Sequence, residues 1–285
     1  MPDRRAVTPD NARTIMSVYA YDGSFDGLLC CVFESYQYNE MPVDVLSEEL
    51  MTPGLLPVKA ISTCPEHAQR VRRAIPKKMG ARAYEFIRNA FLTCCPQKEI
   101  NMLRFIRMGF RRGPAVMDCL TEEAVHTLFM AVNHLNREVN HYLGFIRFSD
   151  SGGALTSQIE PKNIVLPLMA RHFAERYPNE QFLIFDKAHG LALLHQDHAV
   201  KLFSAEEFYQ PSPGAEEAKF RALWKLFYDT IEIKERHNPR CRMNHMPKRF
   251  WHCMTEFSKE IYDETDIAVR ALPSAAEEIP YQSGL

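Results

Sequence analysis

His172, Asp186, His189, His195 and His198 gather near one expected sheet and have side chains that can move protons. A histidine held by a carboxylate takes up and returns a proton near neutral pH, so His172 with Asp186 is the candidate catalytic pair for a phosphodiester- or base-processing reaction. A helical histidine more often packs or caps, and an Asp at a strand end commonly caps the next turn, so the pair stands beside that structural role. Cys241, His245, His252 and Cys253 offer two thiolates and two imidazoles, a set suited to tetrahedral zinc. Cys253 lies in an apolar segment, however, and no cysteine pair has CxxC spacing, so no metal and no cofactor is expected.

The cationic residues form better-defined constellations. Arg104, Arg107 and Arg111 recur on one helical face while Leu103, Ile106 and Phe110 occupy an adjacent one, so that the helix packs and still presents arginines. Arg112 extends this surface, with Lys77, Lys78 and Arg82. The planar guanidinium matches phosphate oxygens. Downstream, IKERHNPRCRMNHMPKRFWH contributes Lys234, Arg236, Arg240, Lys248 and Arg249 together with Trp251, the mixture that grips a strand's phosphates and stacks an exposed base. A charge run is also the mark of a solvated face, and Trp251 also fits an ordinary core.

The net charge of -2 conceals how strongly these charges segregate. Seven acids and no Lys or Arg lie between Thr14 and Val58, whereas twelve Lys or Arg stand against Glu85 and Glu99 between Arg70 and Arg112. Such separation suits a polyanionic partner.

The elements that must position these residues follow from periodicity. Ile15 to Tyr21 alternates as a strand, and Phe25, Leu28, Leu29, Val32, Phe33 and Tyr36 mark a helix with Ser24 as N-cap. Val43 to Leu46 and Val58 to Ile61 read as short strands. From 65 to 143 the pattern is helical, broken at Gly80, Pro96 and Gly113-Pro114. From 144 to 204 it becomes a sheet: a hairpin at 145–159 turning at Ser151-Gly152-Gly153, one helix through His172, and a meander at 182–203 that joins the hairpin in one sheet. After a linker at Pro211 to Gly214, Phe220, Leu223, Trp224, Phe227 and Ile231 mark an amphipathic helix, and a last helix begins at Pro247 and runs through Phe257. The expected fold is α+β, an antiparallel sheet of about five or more strands packed with a large helical portion. The expected organisation is a disordered lead at 1–13, a single domain at 14–265 with its C-terminal helical portion at 213–265, and a loose tail at 266–285.

With 46% hydrophobic and 25% charged residues the composition is globular, and no apolar run is long enough to span a membrane. The start, MPDRRAVTPDNAR, has no signal-peptide core, and the eight cysteines lack the spacing of a secreted scaffold, so a cytoplasmic location with reduced thiols is expected. P-loop, Rossmann, HExxH and GxSxG motifs are absent.

Four segments reach further: YDGSFDGLLCCVFESY at 21–36, LGFIRFSDSGG at 143–153, IEPKNIVLPLMARHFAERYPNEQFLIFD at 159–186 and LWKLFYDTIEIKERHNPRCRMNHMPKRFWHCMTEF at 223–257. Together they resemble an uncharacterised bacterial family of DNA metabolism or DNA repair proteins. Its members occur alone, beside a radical SAM protein thought to modify or repair DNA, or fused behind a uracil-DNA-glycosylase-like domain. The resemblance implies DNA and a radical SAM protein as partners but carries over no catalytic residues. His189 departs from it, since the family usually has a basic residue there. The missing glycosylase-like domain argues against uracil excision. The leading expectation is a DNA repair or modification protein that binds nucleic acid; a processing enzyme using His172 and Asp186, and a non-catalytic adaptor, are the alternatives. No reaction is assigned by sequence.

Overall fold

The computed structural model describes residues 13–51, 54–150, 152–208, 214–231, 233, 236–255, 257 and 278–279. The lead at 1–12, the turn residue Ser151, Pro211 to Pro213 of the linker, Lys234, Glu235 and most of the tail lie outside them. The chain divides into two units, Met1–Leu135 and Asn136–Leu285.

In the first unit β1 (Arg13–Tyr21) leads into α1 (Phe25–Gln37), and the Ser24 side chain accepts the Gly27 N–H as the sequence anticipates. β2 (Glu40–Ser47) and β3 (Val58–Ala60) flank β1, both parallel to it, in the order β2-β1-β3. A parallel sheet is legible only afterwards in the nearly continuous burial of β1 from Val18 to Tyr21. Asp22 closes its end: the carboxylate accepts Ser24 N–H, the Ser24 hydroxyl and, across to the segment after β3, the Thr63 hydroxyl at 2.7 Å. Burial raises its pKa, but those hydrogen bonds outweigh burial and hold the carboxyl below its ordinary value.

α2 (Pro65–Met79), α3 (Ala81–Phe91) and α4 (Lys98–Arg112) follow. They break where expected. Gly80 adopts φ +87°, and Gly113, at φ +66°, ends α4. α5 (Glu123–Phe145) begins in this unit and continues into the second. The first unit's core gathers α1 (Leu28, Leu29, Val32), α4 (Met102, Leu103, Phe105, Ile106) and the start of α5 (Val125, Leu128).

The second unit holds β4 (Ser149–Asp150), β5 (Leu155–Ile159), α6 (Leu166–Arg176), β6 (Phe182–Asp186), β7 (Leu191–Gln196) and β8 (Ala199–Ser204). Next come α7 (Ala215–Thr230), α8 (Pro239–His245) and the two-residue β9 (Glu278–Ile279). The hairpin and meander share one sheet, β4-β5-β6-β7-β8-β9, mostly antiparallel, in which α6 carries the chain from β5 to a parallel β6. The fold is therefore α+β.

β6 is buried on both faces. Phe182 meets Phe173 of α6 and Phe148 on one, while Leu183 and Phe185 join Ala192 on the other. Asp197 and His198, both at positive φ, turn β7 into β8 in the two-residue form that matches strand twist.

Two expectations are corrected here. The strand expected from 145 contracts to Ser149–Asp150, because α5 runs to Phe145, whose ring packs 5.5 Å from Phe250. The helix expected from Pro247 is a 3-10 turn, Lys248–Cys253, in which Phe250 N–H bonds Pro247 O at 3.0 Å. Among the described residues, no helix is long and apolar enough to cross a membrane.

Candidate functional site

The cationic cleft of the second unit is assembled from four separated segments. Ser149 pairs with Thr156 in the β4–β5 ladder, and Ser149 and Ser157, both buried, are among the residues that line the cleft. Arg147 sits in the link between α5 and β4; its N–H donates to Cys253 O at 3.0 Å, tying the link to the 3-10 turn that carries His252. Its guanidinium donates to Gly144 O in the last turn of α5 at 3.1 Å and to Ile146 O just beyond it at 3.2 Å, a cap at the negative end of that helix. α7 supplies Arg221, which donates to Glu217 at 2.8 Å and to the Ser149 hydroxyl.

Arg147, Ser149, Ser157, Arg221, His252 and Thr255 line a cleft of about 240 Å³. Glu160 lines it as well, its carboxylate paired with Lys187 at 3.2 Å. Two guanidinium groups, an imidazole and several hydroxyls are a donor set for an oxyanion of phosphate size. The sequence reading missed this site. Arg147 and Ser149 stand within LGFIRFSDSGG, the only signal that could have flagged them.

A second concavity, of about 230 Å³, is lined by Arg236, His237, Asn238, Pro239, Cys241 and Arg242. Asn238 caps α8 by accepting the Cys241 N–H at 3.0 Å. Arg236, Arg240, Lys248 and Arg249 are exposed, as a phosphate-gripping role requires. Arg249 lies over the Phe250 ring at 4.5 Å and 3.8 Å from the buried Glu138 carboxylate, and Lys248 lies 5.8 Å from the Trp251 ring centre. Trp251 is more committed than expected. Its Nε1–H donates to Met246 O at 3.0 Å, and Phe257 stacks on it at 4.6 Å.

On α4 the expected row of arginines splits. Arg104 and Arg111 are exposed, but Arg107 is only 3% exposed. Its Nη1 donates to Ser35 O at 2.8 Å and Ser35 Oγ at 3.1 Å, beside the Tyr36 ring at 4.3 Å. The reason is the width of the buried face: α4 packs on α1, β2, α2 and α3, so a position between its apolar rows and its outer face is covered. Arg112 pairs with Glu122 at 2.9 Å and donates to Cys119.

The acid–base residues do not converge as proposed. Asp186, with 0% exposure, accepts Ala188 N–H at 3.0 Å and His189 N–H at 3.2 Å, and its other oxygen lies 2.7 Å from His189 Nδ1. His172 is not among its partners, and His172 Nε2 is buried with no hydrogen bond. His195 Nδ1 meets Glu180 O at 2.8 Å and its ring stacks on Phe182, while His198 Nδ1 meets Pro178 O at 2.9 Å. These last two pin a loop. Of the zinc candidates, Cys253 is buried with its thiol donating to Phe250 O, and among the described residues no three His, Cys, Asp or Glu gather as metal ligands.

No curated protein matches the chain. A family model described as a domain of unknown function, DUF4130, matches residues 96–256, which include α4, the whole sheet from β4 to β8 and every residue lining the cleft. That match covers more than half of the sequence, and the chain belongs to the DUF4130 family.

Proposed function

We propose that this is a nucleic-acid-binding protein of DNA repair or DNA modification, acting in the cytoplasm with a separate radical SAM enzyme. The observation that carries the reading is the cleft lined by Arg147, Arg221 and His252 together with the buried Ser149 and Ser157, a donor set suited to a backbone phosphate. Exposed Arg236, Arg240, Lys248 and Arg249 in the same unit, and exposed Arg104 and Arg111 in the first, supply further phosphate contacts. The four sequence motifs that resemble DNA metabolism proteins supply the biological setting and the partner.

The test is fluorescence anisotropy with labelled single-stranded, duplex and damaged oligonucleotides over a salt series, with and without the radical SAM protein. Log affinity should fall with log salt at about -0.7 to -0.9 per phosphate contact. Arg104→Ala or Arg240→Ala should flatten the slope by about one contact across all sequences. Absence of binding at low salt, alone and with the partner, would sink the reading.

A second reading, a processing enzyme, is favoured by one contact only, Asp186 with His189, which replaces the expected pair with His172. Cleavage or base release by the full-length protein, abolished in His189→Ala, is the outcome that would select it.

A further inference from the structure

Among the described residues, the apolar stripe of α7 does not enter a core. Phe220, Leu223, Trp224, Phe227 and Ile231 fall at helical spacing, the pattern that ordinarily marks a buried face, yet Trp224 is 40% and Phe227 52% exposed. Scattered exposed apolar residues need no explanation, but a contiguous row of them on one helix marks a binding surface. Two features indicate what it binds.

First, Trp224 and Phe227 stack on one another with ring centres 5.6 Å apart and planes 29° from parallel, an exposed aromatic pair. Second, the pair adjoins the phosphate-fitting cleft through shared residues. Arg147, a cleft residue, places its guanidinium 5.8 Å from the Trp224 ring centre, and Arg221, another, lies on α7 one turn before Trp224. Protein interfaces also gather aromatic and arginine side chains, so it is the adjoining phosphate-fitting cleft that favours a nucleic-acid strand. Rings beside a row of guanidinium groups match the alternation of base and phosphate along a single strand. In a duplex the base faces are covered by their neighbours, so such a pair is of use only where bases are unstacked.

We infer that Trp224 and Phe227 form a base-stacking platform, and that the strand it holds is single-stranded nucleic acid whose phosphate enters the cleft between Arg147 and Arg221. The inference rests on the nucleic-acid reading above and makes it specific in strand type. It also moves the stacking role from the half-buried Trp251, whose Nε1–H is held by Met246 O, to the exposed Trp224.

The chain has two tryptophans, so Trp251→Phe leaves Trp224 as the sole tryptophan, read by excitation that spares tyrosine. Titrating that full-length variant with oligothymidylate should quench its emission saturably, with a much smaller response to a duplex of equal length. Trp224→Ala should weaken single-strand binding by about ten- to a hundredfold with an unchanged salt slope, and Trp224→Phe should restore part of the loss. Arg147→Ala should lower the slope by about one contact.

Wild-type binding that leaves Trp224 emission unchanged, or that survives Trp224→Ala, overturns the platform while sparing nucleic-acid binding itself. No binding by the wild type overturns both. If Trp224→Ala converts a dimer to a monomer in sedimentation and leaves affinity intact, the face belongs to a second copy of the chain and the inference fails.

Discussion

The Arg107 guanidinium donates to the Ser35 carbonyl at 2.8 Å and so closes the C-terminal end of α1 from within the core of the first unit. A cation at that end of a helix also meets the negative pole of its dipole. The residue that composition assigns to a phosphate is thus an internal cap.

Arg107→Met should therefore destabilise the protein by about 2–3 kcal/mol, the scale of losing a buried charge-assisted hydrogen bond and leaving its acceptors unpaired. Urea denaturation measures this. The salt slope of nucleic-acid binding should stay at the wild-type value, in contrast to Arg104→Ala; a flattened slope would return Arg107 to the binding surface.

Gly27 lies in the first turn of α1, where alanine ordinarily gains about 1 kcal/mol of helix propensity. Here a Cβ would sit 2.1 Å from Asp22 Oδ1 and 2.9 Å from both Thr63 Oγ1 and Tyr21 Cδ2. Gly27→Ala should reverse the usual sign and cost about 1–3 kcal/mol, because it displaces the carboxylate that ties β1 to the segment after β3. A rise in thermal midpoint would refute that role for Asp22.

Asp186 holds the β6–β7 turn through two backbone N–H groups and His189. Asp186→Ala should cost about 1–3 kcal/mol in denaturant titrations, since it leaves buried donors unpaired. His189→Arg keeps a donor for the carboxylate and should cost less than His189→Ala. The reverse order would mean that the imidazole itself is required.

His141 packs against Phe145 and Phe250, with Nδ1 buried and without a hydrogen bond. Burial, aided by nearby Arg249, pushes its pKa below the ordinary value near 6.5. The unfolded chain then binds more protons than the folded one between those two values, so stability falls as pH drops from about 6.5 and levels off below the folded-state pKa. His141→Phe should remove this component, seen as a shallower loss of denaturation midpoint between neutral and mildly acidic pH.

Much of the frame is legible in the sequence because it depends on local rules. Ser24 caps α1, Gly80 and Gly113 end helices, and the alternation from 182 to 203 yields a meander. What escapes depends on which neighbour an element meets. The exposure of Arg107 differs from that of Arg104 because the elements packed on α4 cover its side, and nothing in the spacing reveals that. The α7 stripe has the periodicity of a buried face and is solvent-facing, since periodicity records amphipathicity and not its partner. The cleft joins residues as far apart as Arg147 and His252, whose meeting is set by the pairing of β4 with β5 and by the Arg147–Cys253 backbone bond.

The order of strands also carries a kinetic consequence. β6, β7 and β8 are joined by short turns, so their pairing closes small loops and is of the kind that forms in about 1–10 μs per hairpin. β5 joins that meander only by a parallel pairing across the whole of α6, which costs more chain entropy and gains its contacts later. The strand that brings Ser157 to the cleft is therefore the late arrival in folding, and under mild denaturant the anion site should loosen while the meander still protects its amides from exchange.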